Sequence, residues 1–252
     1  MIDTVPEGSG QQLGRPAMVN AINQSQRTAA KVAGIAFLFT DATATFAEFY
    51  VRPTLIVHDN AAQTAANIMA TEWLFRLGIA IQLAMIAGLI VLTVALYVVL
   101  RPVGSGLALL GAFWRLTENA VLAVGTLTSL NVLGLLNDAA SLHGLQASQL
   151  QALVLRSIGA YTDAYNVSLM FGGLGIAVFA YLFVRSRYIP RPLAALGVFG
   201  ALLTAVSTLT FIVLPSLASV AQPWCYAPLL IFELGTALWL LTRGLRQEQV
   251  SG

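Results

Sequence analysis

Residues 71–102 read TEWLFRLGIAIQLAMIAGLIVLTVALYVVLRP, and this stretch decides the fold class. Its charged residues lie near the two ends, and none occurs from Leu77 to Leu100. About 20 apolar residues in a helix suffice to cross the hydrocarbon of a bilayer. The stretch therefore predicts a transmembrane helix that ends before Arg101 and Pro102, because proline interrupts a helix and favours a turn.

Five further runs of the chain share this character. Of the 252 residues, 58% are hydrophobic and only 10% are charged, too little polar surface for a water-soluble domain of this size. We therefore predict an all-α polytopic membrane helix bundle of about six transmembrane helices, built as one domain over residues 27–246. The runs 105–136 and 149–184 exceed what a perpendicular span requires, so their helices are expected to project beyond the bilayer. The predicted spans are residues 28–50, 71–100, 105–136, 149–184, 192–215 and 225–243.

Positive charge is distributed unevenly between the two sides of the predicted bundle. Six crossings place both termini on one side, and nine of the thirteen Arg and Lys residues lie there, whereas the opposite loops contain only Arg52. Cytoplasmic segments near membrane spans retain Arg and Lys, so we predict cytoplasmic termini, with a disordered lead over residues 1–26 and a tail over 247–252. The nine are Arg15, Arg27, Lys31, Arg101, Arg185, Arg187, Arg191, Arg243 and Arg246.

Several classes of function are disfavoured by composition. The formal net charge is only +2 and the basic residues lie in short loops, so no nucleic-acid partner is expected. Cys225 is the only cysteine, which excludes an internal disulfide or a cysteine-based zinc site. His58 and His143 fall in outer loops without paired ligands. We predict no metal and no cofactor.

The longest connection lies on the side opposite the termini, over residues 52–70. Asn60 followed three residues later by Gln63 is typical of a helix start, and it predicts a short helix before the second span. The alternation of apolar and polar residues around Leu55 suits an interfacial cap over the bundle. Such a cap would serve as a lid, and an ordinary connecting loop is the alternative.

Four carboxylates fall near the middle of their predicted spans: Asp41, Glu118, Asp163 and Glu233. A charged group facing lipid at that depth costs a few kcal/mol, so these side chains are expected to face each other or water. We predict that spans 1, 2, 3, 4 and 6 surround a common polar interior. Glu48 and Glu72 raise the number of acids to six. The expected neutralising cations are Arg76, Arg115 and Arg156, with Arg52 at the boundary.

The acids outnumber these arginines, and burial disfavours a charged carboxylate. At least one acid is therefore expected to carry a proton at neutral pH, and Glu233 is the first choice because its helix supplies no basic neighbour. We assign acid or base roles to Glu233, Asp163 and Glu118. The predicted ligand-binding residues are Asp41, Glu72, Arg76, Trp114, Arg115, Asn119, Arg156, Tyr165 and Asn166.

Structural interpretations stand beside some of these assignments. Glu72 and Arg76, four residues apart, also suit a pair at the membrane interface. Trp114 suits core packing as well as a pocket wall. Gly172, Gly173 and Gly175 lie within span 4, where small residues favour close helix packing over ligand binding.

Three functions remain open from the residues alone. The first is a chamber that binds a lipophilic, isoprenoid-like or lipid-like small molecule, and converts it by acid/base chemistry if the protein is an enzyme. The second is a proton-coupled carrier. The third is a non-catalytic membrane partner in which the acids only fasten helices together. Membrane lipid is a partner in each case, and the oligomeric state is open.

Residues 46–78, FAEFYVRPTLIVHDNAAQTAANIMATEWLFRLG, resemble the signature of a bacterial membrane family called domain of unknown function 4386. The resemblance continues with WRLTENAVL at 114–122, SRYIPRPLAALGVFG at 186–200 and ELGTALWLL at 233–241, and covers about residues 28–243. It implies an all-helical integral protein, here of the bacterial cytoplasmic (inner) membrane, and no particular activity. The residues that match the family's polar positions are Glu48, Arg52, Asp59, Thr64, Asn67, Glu72, Arg76, Arg115 and Glu118.

Overall fold

The computed structural model describes residues 22–57, 60–137 and 146–246. Within these ranges the chain is helical and contains no strand. Six helical stretches are long and apolar enough to cross a membrane, which confirms the predicted polytopic helix bundle. The elements are α1 Gln24–Phe46, a π-helical turn Ala47–Val51, α2 Arg52–Leu55, α3 Ala61–Ala70, α4 Glu72–Leu100, α5 Ser105–Asn137, α6 Ala147–Ser186, α7 Arg191–Val213, a 3-10 turn Pro215–Leu217 and α8 Ala218–Thr242.

The six long helices form a closed ring in chain order. Each helix packs against the next from α4 to α8, and α1 closes the ring by packing against both α4 and α8. The short connections at 101–104 and 187–190 favour this order, because helices joined by a few residues pack as antiparallel neighbours. The interior of the ring is therefore lined by all six helices.

The end of the ring where α1 starts and α8 ends is densely packed, and we call it the terminal end. Phe37, Phe179 and Phe183 are completely buried in the larger hydrophobic core, which lies towards this end. Gln26 is also buried there and donates a hydrogen bond to the Val99 carbonyl at 3.2 Å. These contacts seal the bundle between the terminal end and its middle.

The opposite, distal end has a smaller core of its own. α1 continues through the π turn and α2 as far as Leu55, which packs with Ile68 of α3 and Val154 of α6. The predicted short helix is confirmed as α3, with the Asn60 side chain accepting a hydrogen bond from the Gln63 amide at 2.9 Å. α2 and α3 thus cap the distal end.

α5 and α6 are longer than a bilayer requires. At 1.5 Å per residue, their 33 and 40 residues extend about 50 and 60 Å, against about 30 Å of hydrocarbon. α1 begins at Gln24, inside the predicted lead. Residues 1–21 of the lead, the tail over 247–252, His58, Asp59 and His143 lie outside the described residues.

Candidate functional site

A cavity of about 120 Å³ lies inside the ring and receives side chains from all six long helices. Asp41 of α1, Arg115 and Glu118 of α5 and Glu233 of α8 all line it, and we call these four residues the acid cluster. Glu118 lies about 20 Å from the start of α5, and Glu233 about 14 Å from the end of α8, at 1.5 Å per residue. Both acids therefore lie near the middle of a 30 Å hydrocarbon layer. We call this space the central cavity.

Arg115 and Glu118 form a buried ion pair within the cluster. The Arg115 Nη1 and Glu118 Oε2 atoms are 2.6 Å apart, and the side chains are only 4% and 8% exposed. The contact meets the distance but not the angle of a hydrogen bond, so Glu118 Oε2 still lacks a donor among the described residues. The pair neutralises charge and leaves hydrogen-bonding capacity unused.

Glycines of α6 provide the space for this pair. A Cβ atom at Gly172 would overlap the Glu118 carboxylate, and one at Gly175 would lie 2.8 Å from Arg115 Cγ. Gly173 faces α7, where a Cβ would lie 2.7 Å from the Ala201 carbonyl oxygen. All three glycines make the close contacts expected of a packing role, two of them with charged side chains, but Gly172 and Gly173 also line the central cavity.

The remaining acids of the cluster have no comparable cation. Within the described part of the chain, no ion pair involves Asp41 or Glu233. Asp41 Oδ2, Arg115 Nε and Thr204 Oγ1 are buried and lack hydrogen-bond partners among the same residues. Three carboxyl groups against one guanidinium leave two negative charges uncompensated if all are ionised. Unused polar atoms around a cavity are suited to binding a ligand or a proton.

A second cavity, of about 110 Å³, lies between the central cavity and the distal end, and we call it the distal cavity. It shares the wall residues Ala44, Met85 and Tyr165 with the central cavity. Its other walls are mainly apolar side chains such as Phe75 and Ile79. The two cavities are therefore adjacent along the bundle axis.

Several polar groups at the distal cavity are paired with one another. Tyr161 donates a hydrogen bond from its hydroxyl to Gln82 Oε1 at 2.8 Å. Arg52 Nε lies 3.4 Å from Glu48 Oε2, and Arg52 Nη2 donates to Thr162 Oγ1 at 3.4 Å. The charges of Glu48 and Arg52 thus balance at the edge of this cavity.

The expectation that Asp163 joins the other acids is wrong, because its side chain is exposed on the outside of α6. Tyr161 and Tyr165 line the cavities. Asp163 is two residues from each of them, so its side chain is turned about 200° around the helix and faces away from the cavities. Asp163 also lies about 35 Å from the terminal end of α6, beyond the middle of the bilayer. The predicted depth of Asp163 was wrong because α6 projects beyond the bilayer at the distal end, so the middle of the helix is not the middle of the bilayer.

The same geometry corrects two of the expected cations. Arg156 is exposed on the projecting part of α6, and Arg76 is exposed at the distal start of α4, where its Nη2 lies 2.6 Å from Glu72 Oε1. Neither Arg76 nor Arg156 lines the central cavity, so Arg115 is the only cation among its lining residues. Glu72 and Arg76 form the interfacial pair that was the structural alternative.

Other predicted residues lie near the cavities or on their walls. Tyr165 lines both cavities. Trp114 is half-buried, stacks on Phe171 with ring centroids 5.8 Å apart and lines neither cavity. Asn119 is buried, and its amide has no hydrogen-bond partner among the described residues, but it lines neither cavity. Asn166 is half-buried and also lies outside both linings.

Sequence reasoning missed Gln82. It is 7% exposed and lines the distal cavity, and its Nε2 has no hydrogen-bond partner in the described ranges. The signal was present, because Gln82 is the only amide side chain between Leu77 and Leu100. Among the described residues, no group of three or more His, Cys, Asp or Glu side chains is arranged to hold a metal ion.

Comparison with known proteins identifies the family of the chain. The family model described as "Domain of unknown function (DUF4386)" matches residues 32–244, which include all six long helices in whole or in part. No curated protein and no solved structure matches the chain significantly. The match covers most of the sequence and confirms the resemblance of the quoted motifs. The chain therefore belongs to the DUF4386 family of domains of unknown function.

Proposed function

We propose that the protein is an intramembrane chamber that binds a lipophilic small molecule and converts it by acid/base chemistry at the acid cluster. The observation that carries this proposal is the convergence of Asp41, Glu118, Glu233 and Arg115 on one cavity lined by six helices. Buried carboxyl groups in a membrane interior are costly, and they usually mark a substrate or proton site.

The unused polar atoms favour this function over simple fastening of helices. A contact that only holds helices together is expected to provide hydrogen-bond partners for the polar atoms it joins, as the ion pair between Glu72 and Arg76 does. In the acid cluster, Asp41 Oδ2 and Arg115 Nε remain without hydrogen-bond partners among the described residues. A polar group of a ligand would satisfy them.

The proposed acid/base chemistry follows from the excess of carboxyl groups over guanidinium groups in the acid cluster. With one guanidinium for three carboxyl groups, a protonated Glu233 lowers the electrostatic cost of the cluster. Its carboxylic acid would donate its proton to an alkene, epoxide or carbonyl of the substrate, and the resulting carboxylate would take a proton back when product forms. Glu118 and Asp41, if ionised, would stabilise positive charge that develops on the substrate. A cyclase, isomerase or hydrolase reaction without a cofactor fits this scheme.

The cavity volumes limit the ligand. An apolar cavity of about 150 Å³ accommodates benzene, so the central cavity at about 120 Å³ holds a group of similar size. The adjacent distal cavity adds about 110 Å³. A slender molecule that extends through both cavities fits better than a bulky one. Isoprenoid-like and lipid-like chains have this shape.

The test begins with the molecule that copurifies with the native protein, identified by mass spectrometry. Conversion of that molecule is then measured in detergent for the wild type, Glu233→Gln and Asp163→Asn. We expect Glu233→Gln to lose at least 100-fold in rate, a typical contribution of an acid or base, while the exposed Asp163→Asn retains the wild-type rate. Full conversion by Glu233→Gln would remove Glu233 from the mechanism. If Glu233→Gln changes only the melting temperature, this acid serves to fasten helices together.

A proton-coupled carrier is the second candidate, and the arrangement of the cavities supports it. Central and distal cavities follow one another from the bundle middle towards the distal end, whereas the terminal end is sealed by buried aromatic side chains. A carrier whose binding site is closed towards one side of the membrane has this form. Uptake into proteoliposomes that requires a pH gradient would favour the carrier, and turnover in detergent without a gradient would favour the enzyme.

We further propose that the protein lies in the bacterial cytoplasmic membrane with both termini in the cytoplasm. The support is that more cations lie at the terminal end than at the distal end. The excess is smaller than the sequence predicted, because Arg52, Arg76 and Arg156 all belong to the distal end. Two of these three are paired with glutamates. The terminal end exposes Arg27, Lys31, Arg101, Arg185, Arg187, Arg191, Arg243 and Arg246.

A further inference from the structure

We infer that the distal cavity recognises a neutral lipophile with a hydrogen-bond acceptor, such as a ketone or ester carbonyl, through the side-chain amide of Gln82. This inference rests on the proposed function, because it assigns a chemical class to the molecule in the chamber. It concerns a binding residue that lies outside the acid cluster.

Gln82 is placed as a donor to a ligand. The residue is 7% exposed and lines the distal cavity. The Tyr161 hydroxyl donates to Gln82 Oε1 at 2.8 Å, which occupies the acceptor end of the amide. Nε2 is buried and has no partner among the described residues. An unpaired donor in an apolar site is costly, and an acceptor on a ligand would remove that cost.

The walls and the edge of the distal cavity favour an uncharged ligand. Val51, Leu55 and Phe75 contribute apolar surface around Gln82. At the edge, Arg52 already pairs with Glu48. An anionic ligand would compete with that glutamate, and a cationic one would compete with the arginine. Neither charge has an unpaired partner in the described lining of this cavity.

The position of Gln82 also sets the geometry of the ligand. Leu89 lines the central cavity and lies about 10 Å along α4 from Gln82, at 1.5 Å per residue. Ala44, Met85 and Tyr165 line both cavities, so the two cavities adjoin at these residues. A ligand whose carbonyl bonds to Gln82 would therefore present a group about 10 Å away to the acid cluster.

Photolabelling with two matched probes tests this inference. The probes are a linear medium-chain methyl ketone that carries an alkyl diazirine, and the hydrocarbon diazirine of the same length. Labelling of peptides from the distal cavity is quantified by mass spectrometry for the purified full chain in nanodiscs. The ratio of ketone to hydrocarbon labelling in each variant is divided by the wild-type ratio, which cancels the different partition of the probes into lipid.

Gln82→Met keeps the length of the side chain and removes its donors. We expect the normalised ratio to fall roughly 3- to 10-fold in this variant, the effect of one hydrogen bond. Gln63→Met is the matched control, because Gln63 is exposed on α3 and lines neither cavity, and its ratio should equal that of the wild type. An unchanged ratio in folded Gln82→Met overturns the inference.

Tyr161→Phe provides a second test if Gln82→Met does not fold. Without the phenolic hydroxyl the oxygen of the Gln82 amide is no longer held by Tyr161, so the amide is less well positioned and the ratio should fall by a smaller factor. A wild-type ratio in this variant would also contradict the inference. Neither labelling result depends on conversion, so failure of this inference and failure of the Glu233→Gln test are separate outcomes.

Discussion

At the scale of single residues, the site depends on glycines, which lack a side chain, as well as on the charged residues. Gly172 and Gly175 of α6 leave the space that Glu118 and Arg115 occupy. A helix interior normally prefers alanine to glycine by roughly 1 kcal/mol. The space for a buried ion pair offsets that preference here.

Gly172→Ala is predicted to destabilise the protein by about 1–3 kcal/mol, because its Cβ would overlap the Glu118 carboxylate. Gly159→Ala, on the same helix with nothing within 4 Å of the added atom, should instead stabilise it by roughly 0.5–1 kcal/mol. Denaturation in mixed micelles measures both changes. In a Glu118→Ala background the cost of Gly172→Ala should nearly vanish, and a cost that persists would show that the overlap is not its cause.

Arg115→Met is predicted to cost about 3 kcal/mol or more, because it leaves the buried Glu118 carboxylate without its cation. Arg156→Met is the matched control and should change stability by less than about 0.5 kcal/mol, since Arg156 is exposed. The same denaturation measurement compares the two. Equal effects would mean that Arg115 has no special role in the bundle interior.

The acid cluster could be predicted from the sequence only in part. Glu118 and Glu233 lie about 20 and 14 Å from the terminal ends of α5 and α8 and line one cavity with Asp41, so counting inward gave the depth of these acids correctly. Asp163 failed this count because α6 extends past the bilayer. Gln82 was missed because a neutral amide in an apolar helix attracts less notice than a charge, although burial makes both costly.

At the scale of elements, the distal end departs most from a regular bundle. α1 changes to a π turn at Ala47–Val51, a feature often found at functional sites, and no local sequence rule predicted it. The turn precedes Arg52, which reaches Thr162 of α6. The start of α3 was predictable, because an Asn cap is a local signal. Local signals thus located the distal cap, and packing determined its shape.

Thr64→Val is predicted to loosen this distal cap without unfolding the bundle. Thr64 is completely buried, and its hydroxyl accepts from the Val57 amide at 3.0 Å and donates to the Val57 carbonyl at 3.2 Å. Valine keeps the shape and removes both bonds, at a cost of about 1–3 kcal/mol. Hydrogen exchange should therefore quicken over 60–70 and remain slow in α4. Gln63→Ala is the control, and equal exchange in the two variants would contradict this role.

At the scale of the whole molecule, the ring places the two ends of the chain's described part on the same side. α1 starts and α8 ends at the terminal end, and α3 lies at the distal end. The even number of spans was predictable from six separate apolar runs, whereas the closure of the ring through α1 was not. Contacts between distant segments leave no local pattern in one sequence.

Cysteine labelling in intact cells tests the proposed orientation. In a Cys225→Ser background, Gln63→Cys lies exposed on α3 and Arg243→Cys lies exposed at the terminal end. With both termini cytoplasmic, an impermeant maleimide that reaches the periplasm should label Gln63→Cys directly, and Arg243→Cys only after the inner membrane is permeabilised. The reverse pattern would invert the orientation.

The central claim is that the two adjacent cavities hold a lipophilic molecule, and the amount of bound molecule per protein tests it most directly. Ala44 lines both cavities, whereas Ala42 is exposed on the same helix. The measurement is quantitative mass spectrometry of the lipophile retained by wild type, Ala44→Phe and Ala42→Phe in nanodiscs. We predict near-stoichiometric retention by wild type and Ala42→Phe, and at least about 10-fold less by Ala44→Phe, whose ring fills the junction. Equal retention by both variants, or none by the wild type, would contradict the account.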